Sequence, residues 1–253
     1  MNDKKPILVI LGPTASGKTE LAVSLARSNQ GEIISADSRQ IYRGLTMGTG
    51  KDLDLYQNGG TPVNYHLIDI INVGEPYSVA HFQFDAINAI NKIEKKGKPV
   101  IVCGGTGLYL AALLQDYEFS RLTDFSNESL KLNRDFIVFG LNPIAEIRRM
   151  RCANRLVDRL TNGLIEEVEH LISQGIDPNE LIRLGLEYKW LVHLLQGSIN
   201  RDEFQKGLTT AIQQFSKRQM TFFRKMERSG IPIHWIPDEL SLESKLAFVQ
   251  SRF

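Results

Sequence analysis

Cysteine is nearly absent from this chain of 253 residues. Cys103 and Cys152 stand far apart and in no metal-ligand spacing, which excludes a disulfide framework and a zinc module and fits a reducing compartment. The five histidines, His66, His81, His170, His193 and His234, are equally scattered. Charge of one sign is also lacking: 30 basic side chains face 29 acidic ones, for a net charge of +1. A basic coat over the whole surface is thereby excluded, and any site for a polyanion has to be local. Long hydrophobic runs are missing as well. The apolar stretch near the N-terminus covers only Ile7 to Leu11, too short for a signal peptide or a membrane span. The expectation is a soluble, cytoplasmic protein with no membrane partner. Internal repeats and low-complexity segments are absent too.

What is present is a hydrophobic content of 42%, enough to bury a substantial core in one main domain with at most a small appendage. The first half alternates short β-branched runs with helical segments, as a parallel α/β sheet requires. Strands are expected at Ile7 to Leu11, Glu32 to Ser35, Pro99 to Val102 and Phe136 to Phe139, with helices from Gly17 to about Ser28 and from a Ser78 cap to about Lys96. From Pro143 onward the pattern is helical, with Asn142 as a cap and breaks near Gly163, Gly175 and Gly197. A long helix is expected from about Arg201 to Arg228, then a late strand at Ile233 to Ile236 and a loosely held helical tail over 240–253. The polar segment from Tyr117 to Asp135 reads as a mobile connection or a small helical excursion.

Gly12-Pro13-Thr14-Ala15-Ser16-Gly17-Lys18-Thr19 matches G-x-x-x-x-G-K-[ST], placed after a buried strand and opening a helix. Glycines let backbone N–H groups wrap a phosphate, Lys18 adds a point charge, and the Thr19 hydroxyl can reach Mg²⁺. A diphosphate or triphosphate ligand follows. The fold class is therefore α/β, a P-loop parallel sheet flanked by helices with a helical C-terminal half, in a single domain over 1–253. The same cradle serves ATP-binding kinases, hydrolases and transferases. An ATPase usually carries an acidic Mg²⁺ ligand at the end of a second buried strand. Here the strand at Pro99 to Val102 runs into Cys103-Gly104-Gly105-Thr106. The acidic residue at a strand end is Asp37, which should face the phosphate site. A helix cap or a magnesium ligand of a small-molecule kinase are alternative roles for it, and Thr106 is open to the bland role of capping the helix that starts near Gly107.

In the long helix, Lys217, Arg218, Arg224, Lys225 and Arg228 fall on one side, and Leu208, Phe215, Phe222 and Met226 on the other. Gln219 lies on the apolar side, where an unpaired amide is costly, so it should have a polar partner. A second series, Arg148, Arg151, Arg155 and Arg159, shares one helix face, open to reading as a lid that contacts diphosphate or as a solvated surface face.

Several blocks resemble the tRNA dimethylallyltransferases and the related adenylate dimethylallyltransferases: GPTASGKT from Gly12 to Thr19, ISADSRQIYRGLTMGTGK from Ile34 to Lys51, YHLIDI from Tyr65 to Ile70, YSVAHFQFDA from Tyr77 to Ala86, VCGGTGLYLAALL from Val102 to Leu114, and KRQMTFFRK from Lys217 to Lys225. The resemblance implies that residues 12–19 hold dimethylallyl diphosphate with Mg²⁺, and that Asp37 is the general base for an adenine amine, with Lys18 and Thr106 also catalytic. It implies contacts of Arg218 and Arg224 with diphosphate or RNA phosphate. It further implies an adenine or tRNA site from Asp37, Ser38, Arg39, Gln40, Thr106 and Gln219, and matches the family's arginine-rich helix at Arg151 and Arg155. The implied partners are the donor and either the anticodon arm of tRNA or a free adenine nucleotide, with a monomer favoured. Two family features are missing: the helical insertion that grips the anticodon arm, which would sit at 117–135, and an Asn-Asp-x-x-Arg block. The family's Gly-Tyr-Lys/Arg block occurs in altered form as Arg183 to Lys189, and no role attaches to it.

Overall fold

The computed structural model describes residues 5–115 and 132–253. Apart from 132–135, the connection expected over Tyr117 to Asp135 lies outside them.

Strand β1 (Ile7–Leu11) is buried along its whole length. A strand buried on both faces alternates its side chains between two cores. Ile7, Val9 and Leu11 enter one apolar cluster, and Leu8 and Ile10 the other. Around β1 a sheet of six parallel strands is assembled from β2 (Glu32–Ser35), β3 (Tyr65–His66), β4 (Val100–Gly104), β5 (Phe136–Leu141) and β6 (Ile233–Ile236). The order is β3-β2-β4-β1-β5-β6, and every pairing is parallel.

Helix α1 (Lys18–Asn29) covers one face of the sheet. There the tail helix α10 (Leu242–Gln250) packs beside it and buries Val249. The other face is covered by α3 (Val79–Lys95), α4 (Gly107–Leu114) and the later half of α9 (Arg201–Arg228). Ser78 caps α3 as expected, its hydroxyl accepting from His81 N at 3.3 Å. Asn200 and Glu203 close a reciprocal cap on α9 at 2.9 Å in both directions.

The remaining helices, α5 (Ala145–Thr161), α6 (Leu164–Ser173), α7 (Pro178–Leu184) and α8 (Leu186–Leu195), enclose a third core with the first half of α9. Asn142 does not cap α5, which begins after Ile144. The cap position is taken instead by Ile144, whose side chain makes no capping hydrogen bond. The break between α7 and α8, at Gly185 (φ 72°), was not read from the sequence. Neither were the two-residue β3 and the short α2 (Leu53–Gln57), which give too little periodicity to detect.

The stripe buried by α9 comprises Phe204, Leu208, Ile212, Ser216, Gln219, Met220, Phe223 and Met226. It is wider than the expected one and centred further round the helix, so Phe223 is buried while Phe215 and Phe222 are half-buried.

Candidate active site

The carboxyl ends of β1, β2 and β4 meet at one edge of the sheet, where a parallel α/β fold places its ligands. From β1 the chain enters the phosphate loop. Ala15 and Gly17 take left-handed backbone, at φ 61° and 83°, which turns successive N–H groups inward. A cavity of about 270 Å³ opens here, lined by Ala15 to Glu20, Asp52, Leu55 and Arg155. The Ser16 hydroxyl is buried without a hydrogen-bond partner, as expected of a group whose partner is a ligand. Burial depresses the Lys18 ammonium below its ordinary value, opposed by the carboxylate of Asp37.

A wider cavity of about 500 Å³ shares Asp52 and Arg155 with the first and adds Met47, Leu53, Asp158 and Arg159. Another, of about 460 Å³ and lined by Lys5, Asn29, Lys98 and Arg134, lies at the amino ends of the strands. Phosphate-loop and Asp37 atoms do not reach that opposite edge.

Gln219 has the polar partners its position demands. Its Oε1 accepts from Thr14 N at 2.9 Å, and its Nε2 donates to Gly105 O at 2.9 Å. One side chain of α9 thereby ties the phosphate loop to the Gly104-Gly105-Thr106 turn. A Cβ on Gly105 would lie 2.5 Å from Gln219 Nε2, so a larger residue there would displace this amide.

The same turn holds the segment that follows β2. Thr106 N donates to Ala36 O at 3.1 Å, and Thr106 Oγ1 accepts from Ser38 N at 2.9 Å. Thr106 stands at the cap position of α4, but its side chain caps nothing there; it braces the Asp37 loop instead. Asp37 itself is half-buried, with Oδ1 accepting from Arg39 N at 3.0 Å.

The other candidates divide. Arg39 extends to Glu187, with Nη1 to Oε2 at 2.6 Å, and its guanidinium lies 5.4 Å from the centre of the Phe215 ring. Arg218 lies 6.0 Å from the same ring on the exposed side. The Gln40 amide is used within the protein: Oε1 accepts from Ser35 at 2.7 Å and Nε2 donates to Gly50 O at 2.9 Å. Arg224 is drawn to the sheet edge, 4.1 Å over the Trp235 ring and 3.0 Å from Glu227.

On α5, Arg155 pairs with Asp52 at 3.1 Å, Arg151 with Asp238 at 3.0 Å and Arg159 with Glu187 at 3.1 Å. Three of the four arginines are therefore ion-paired, and among the described residues Arg155 is the one of the series that lines the phosphate cavity. Both cysteines are packing groups. Burial pushes the Cys103 thiol up to about 12, and Cys152 rises for the same reason.

Sequence reasoning missed Glu187 and Glu167. Glu167 accepts from Thr46 N, Met47 N and Gly48 N at 3.0, 2.7 and 3.2 Å, and from Tyr188 Oη at 2.8 Å. It fixes the loop between β2 and α2. Its spacing within α6 is that of an ordinary surface glutamate, so no local signal marked it.

Among the described residues no group of three or more His, Cys, Asp or Glu is placed to hold a metal, and no helix is long and apolar enough to cross a membrane.

Comparison with known proteins adds lineage to this geometry. The family model described as IPP transferase matches residues 40–134 and 118–226. A "tRNA dimethylallyltransferase 2" of Bacteroides fragilis is 40% identical, over 97% of this chain and 97% of that one. A protein of the same name from Porphyromonas gingivalis is 41% identical, over 91% and 93%. The Bacteroides alignment runs over 297 positions against a chain of 253, so several tens of positions in the relative have no counterpart here. Among solved structures, the tRNA delta(2)-isopentenylpyrophosphate transferase of Staphylococcus epidermidis superposes with a TM-score of 0.83 at 28% identity, over 98% of this chain and 99% of that one. A eukaryotic dimethylallyltransferase acting on tRNA shares the fold, with a TM-score of 0.78 at 19% identity, over 98% of this chain and 78% of that one.

Proposed function

Because this chain belongs to the IPP transferase family, we propose that it moves a dimethylallyl group from dimethylallyl diphosphate to the N6 amine of an adenosine near the tRNA anticodon, releasing diphosphate. The observation that carries this reading is the setting of Asp37. It stands at the end of β2 close enough to Lys18 for its charge to act on the ammonium, with one oxygen held by Arg39 N. β4, by contrast, ends in a thiol and glycines, where a kinase or ATPase would present a carboxylate to its metal.

The roles implied by the resemblance are supported by this geometry. Within the loop of residues 12–19, the backbone N–H groups from Ala15 to Thr19 and the Lys18 ammonium take the diphosphate, with Arg155 and Arg218 at its margins. An exocyclic adenine amine is a weak nucleophile, so it attacks as the allylic C–O bond loosens and sheds its proton to a positioned carboxylate. Asp37 takes that proton through the oxygen that Arg39 leaves open. Thr106 and Ser38 hold the base in place, Arg39 lies at the adenine side, and Gln219 and Gln40 act on the walls of the site. Mg²⁺ fits the donor set, since it draws most ligands from substrate phosphates and water and here would find the Thr19 hydroxyl and the unsatisfied Ser16 hydroxyl on the loop. Bound there, it supplies charge neutralisation for the leaving diphosphate.

A second reading, transfer to AMP, ADP or ATP, is favoured by the positions of the Bacteroides relative that are missing here. A mass-shift assay with Mg²⁺ and dimethylallyl diphosphate, offering unmodified tRNA or free nucleotides, separates the two. A gain of one dimethylallyl group on tRNA is expected. Product on free nucleotides alone reassigns the acceptor, and no product on any acceptor refutes the transferase reading.

A further inference from the structure

Burying a carboxylate is unfavourable unless paired charge compensates it. Glu187 is 1% exposed, in the first turn of α8. Two guanidinium groups compensate it: Arg39 Nη1 lies 2.6 Å from Oε2, and Arg159 Nη1 lies 3.1 Å from Oε1. These arginines are nearly enclosed themselves, at 14% and 12% exposure. Burial acts to raise the Glu187 carboxyl, and the two arginines outweigh it and hold it below its ordinary value. So the group is an anion clamped between cations.

Arg39 is two residues from Asp37, and its backbone N–H donates to Asp37 Oδ1 at 3.0 Å. Pinning the guanidinium restricts the freedom of the short turn that carries this donor. The Arg39 guanidinium is pinned by Glu187 on one side and lies 5.4 Å from the centre of the Phe215 ring. Arg159 belongs to the same helix face as Arg155, which lines the phosphate cavity. Glu187 is thus joined to the segment that carries the base and to the helix that borders the donor.

We propose that Glu187 is a positioning residue: through Arg39 it sets the direction of the Asp37 carboxylate, so that the second oxygen faces the attacking amine. It touches neither substrate. The inference rests on the transfer reading above, with Asp37 as base.

Glu187→Gln keeps the size and one acceptor but removes the charge that holds Arg39. It is expected to lower kcat about tenfold while the KM for dimethylallyl diphosphate changes less than about twofold, because orientation of the base is felt in the transition state. Glu187→Asp, which retains the charge, is expected to recover part of the loss. In an Arg39→Met background the Glu187→Gln step should cost clearly less kcat than in wild type, since the contact with Arg39 is already gone and only that with Arg159 is left to lose. Arg39→Met alone should reproduce the loss, and it carries the test if Glu187→Gln does not fold. Equal loss from Glu187→Gln with and without Arg39, or wild-type kcat in Arg39→Met, overturns the proposal. A wild-type enzyme that transfers nothing to any acceptor sinks the functional reading instead.

Discussion

A carboxylate that accepts a proton from an adenine amine needs one oxygen held and the other open. Asp37 meets this with Oδ1 on Arg39 N and its flanking residues tied to Thr106. Asp37→Asn keeps the shape and removes the base. It is expected to lower kcat by about 10²- to 10⁴-fold, with the affinity for dimethylallyl diphosphate, read by calorimetry, nearly unchanged. Lys18→Ala should do the reverse to the donor and weaken its binding; undiminished affinity there, or undiminished turnover in Asp37→Asn, would remove the residue from its role. These two groups were legible in the sequence because their signals are local: a glycine-rich loop between strand and helix, and an acid at a strand end. Gln219 was legible through an energetic rule, an amide on an apolar face that had to find a partner. Glu187 was not legible, since its partner Arg39 is 148 residues away and nothing in α8 distinguishes a buried acid from a solvated one.

Helix α9 is the element that joins the two halves of the site, reaching from the third core at its start to the sheet at its end. Its bounds, Arg201–Arg228, agree with those expected from the sequence. Its orientation was read less well, because helical projection weighs large aromatics while packing is decided by the sheet underneath. Phe223, fully buried, should cost about 3–5 kcal/mol on replacement by alanine, whereas half-buried Phe222→Ala should cost clearly less. Denaturant unfolding of the two variants checks this, and equal losses would refute the burial pattern.

At the edge of the sheet, Glu32 of β2 is 1% exposed and collects His66 of β3 at 2.8 Å, Lys96 at 3.0 Å and Lys98 at 2.9 Å. Burial raises its carboxyl, and these partners outweigh it and lower the pKa from 4.5 to about 2. A group lowered on folding stabilises above its unfolded pKa and loses that contribution as pH falls through the folded one. The lysines are 49% and 39% exposed, so screening leaves about 1 kcal/mol. Glu32→Gln should therefore be less stable than wild type at pH 7, and the gap should close between pH 4.5 and 2. A gap independent of pH in thermal unfolding would exclude this linkage.

For the whole molecule the open quantity is grip on RNA without a general positive field, the net charge being +1. The parallel sheet and the placing of Asp37 at its carboxyl edge followed from the alternation of short strands and helices, whereas the strand order did not. The acceptor does not follow from the fold, because the same sheet serves any ligand brought to its edge. Among the exposed cations, Lys217, Arg218, Lys225 and Arg228 project from the solvent side of α9, the helix that also carries Gln219 at the phosphate loop. A phosphodiester strand entering toward Asp37 would run along that side. Each phosphate neutralised adds about 0.7 to 0.9 to the slope of log affinity against log salt. Lys225→Ala with Arg228→Ala should lower that slope for an anticodon stem-loop by about 1 to 2. The kcat for saturating acceptor should stay unchanged, since neither side chain reaches the base. Fluorescence anisotropy across a salt series measures the slope. An unchanged slope places the RNA elsewhere on the molecule, and a fall in kcat with an unchanged slope would mean that these cations act on the chemistry and not on the grip.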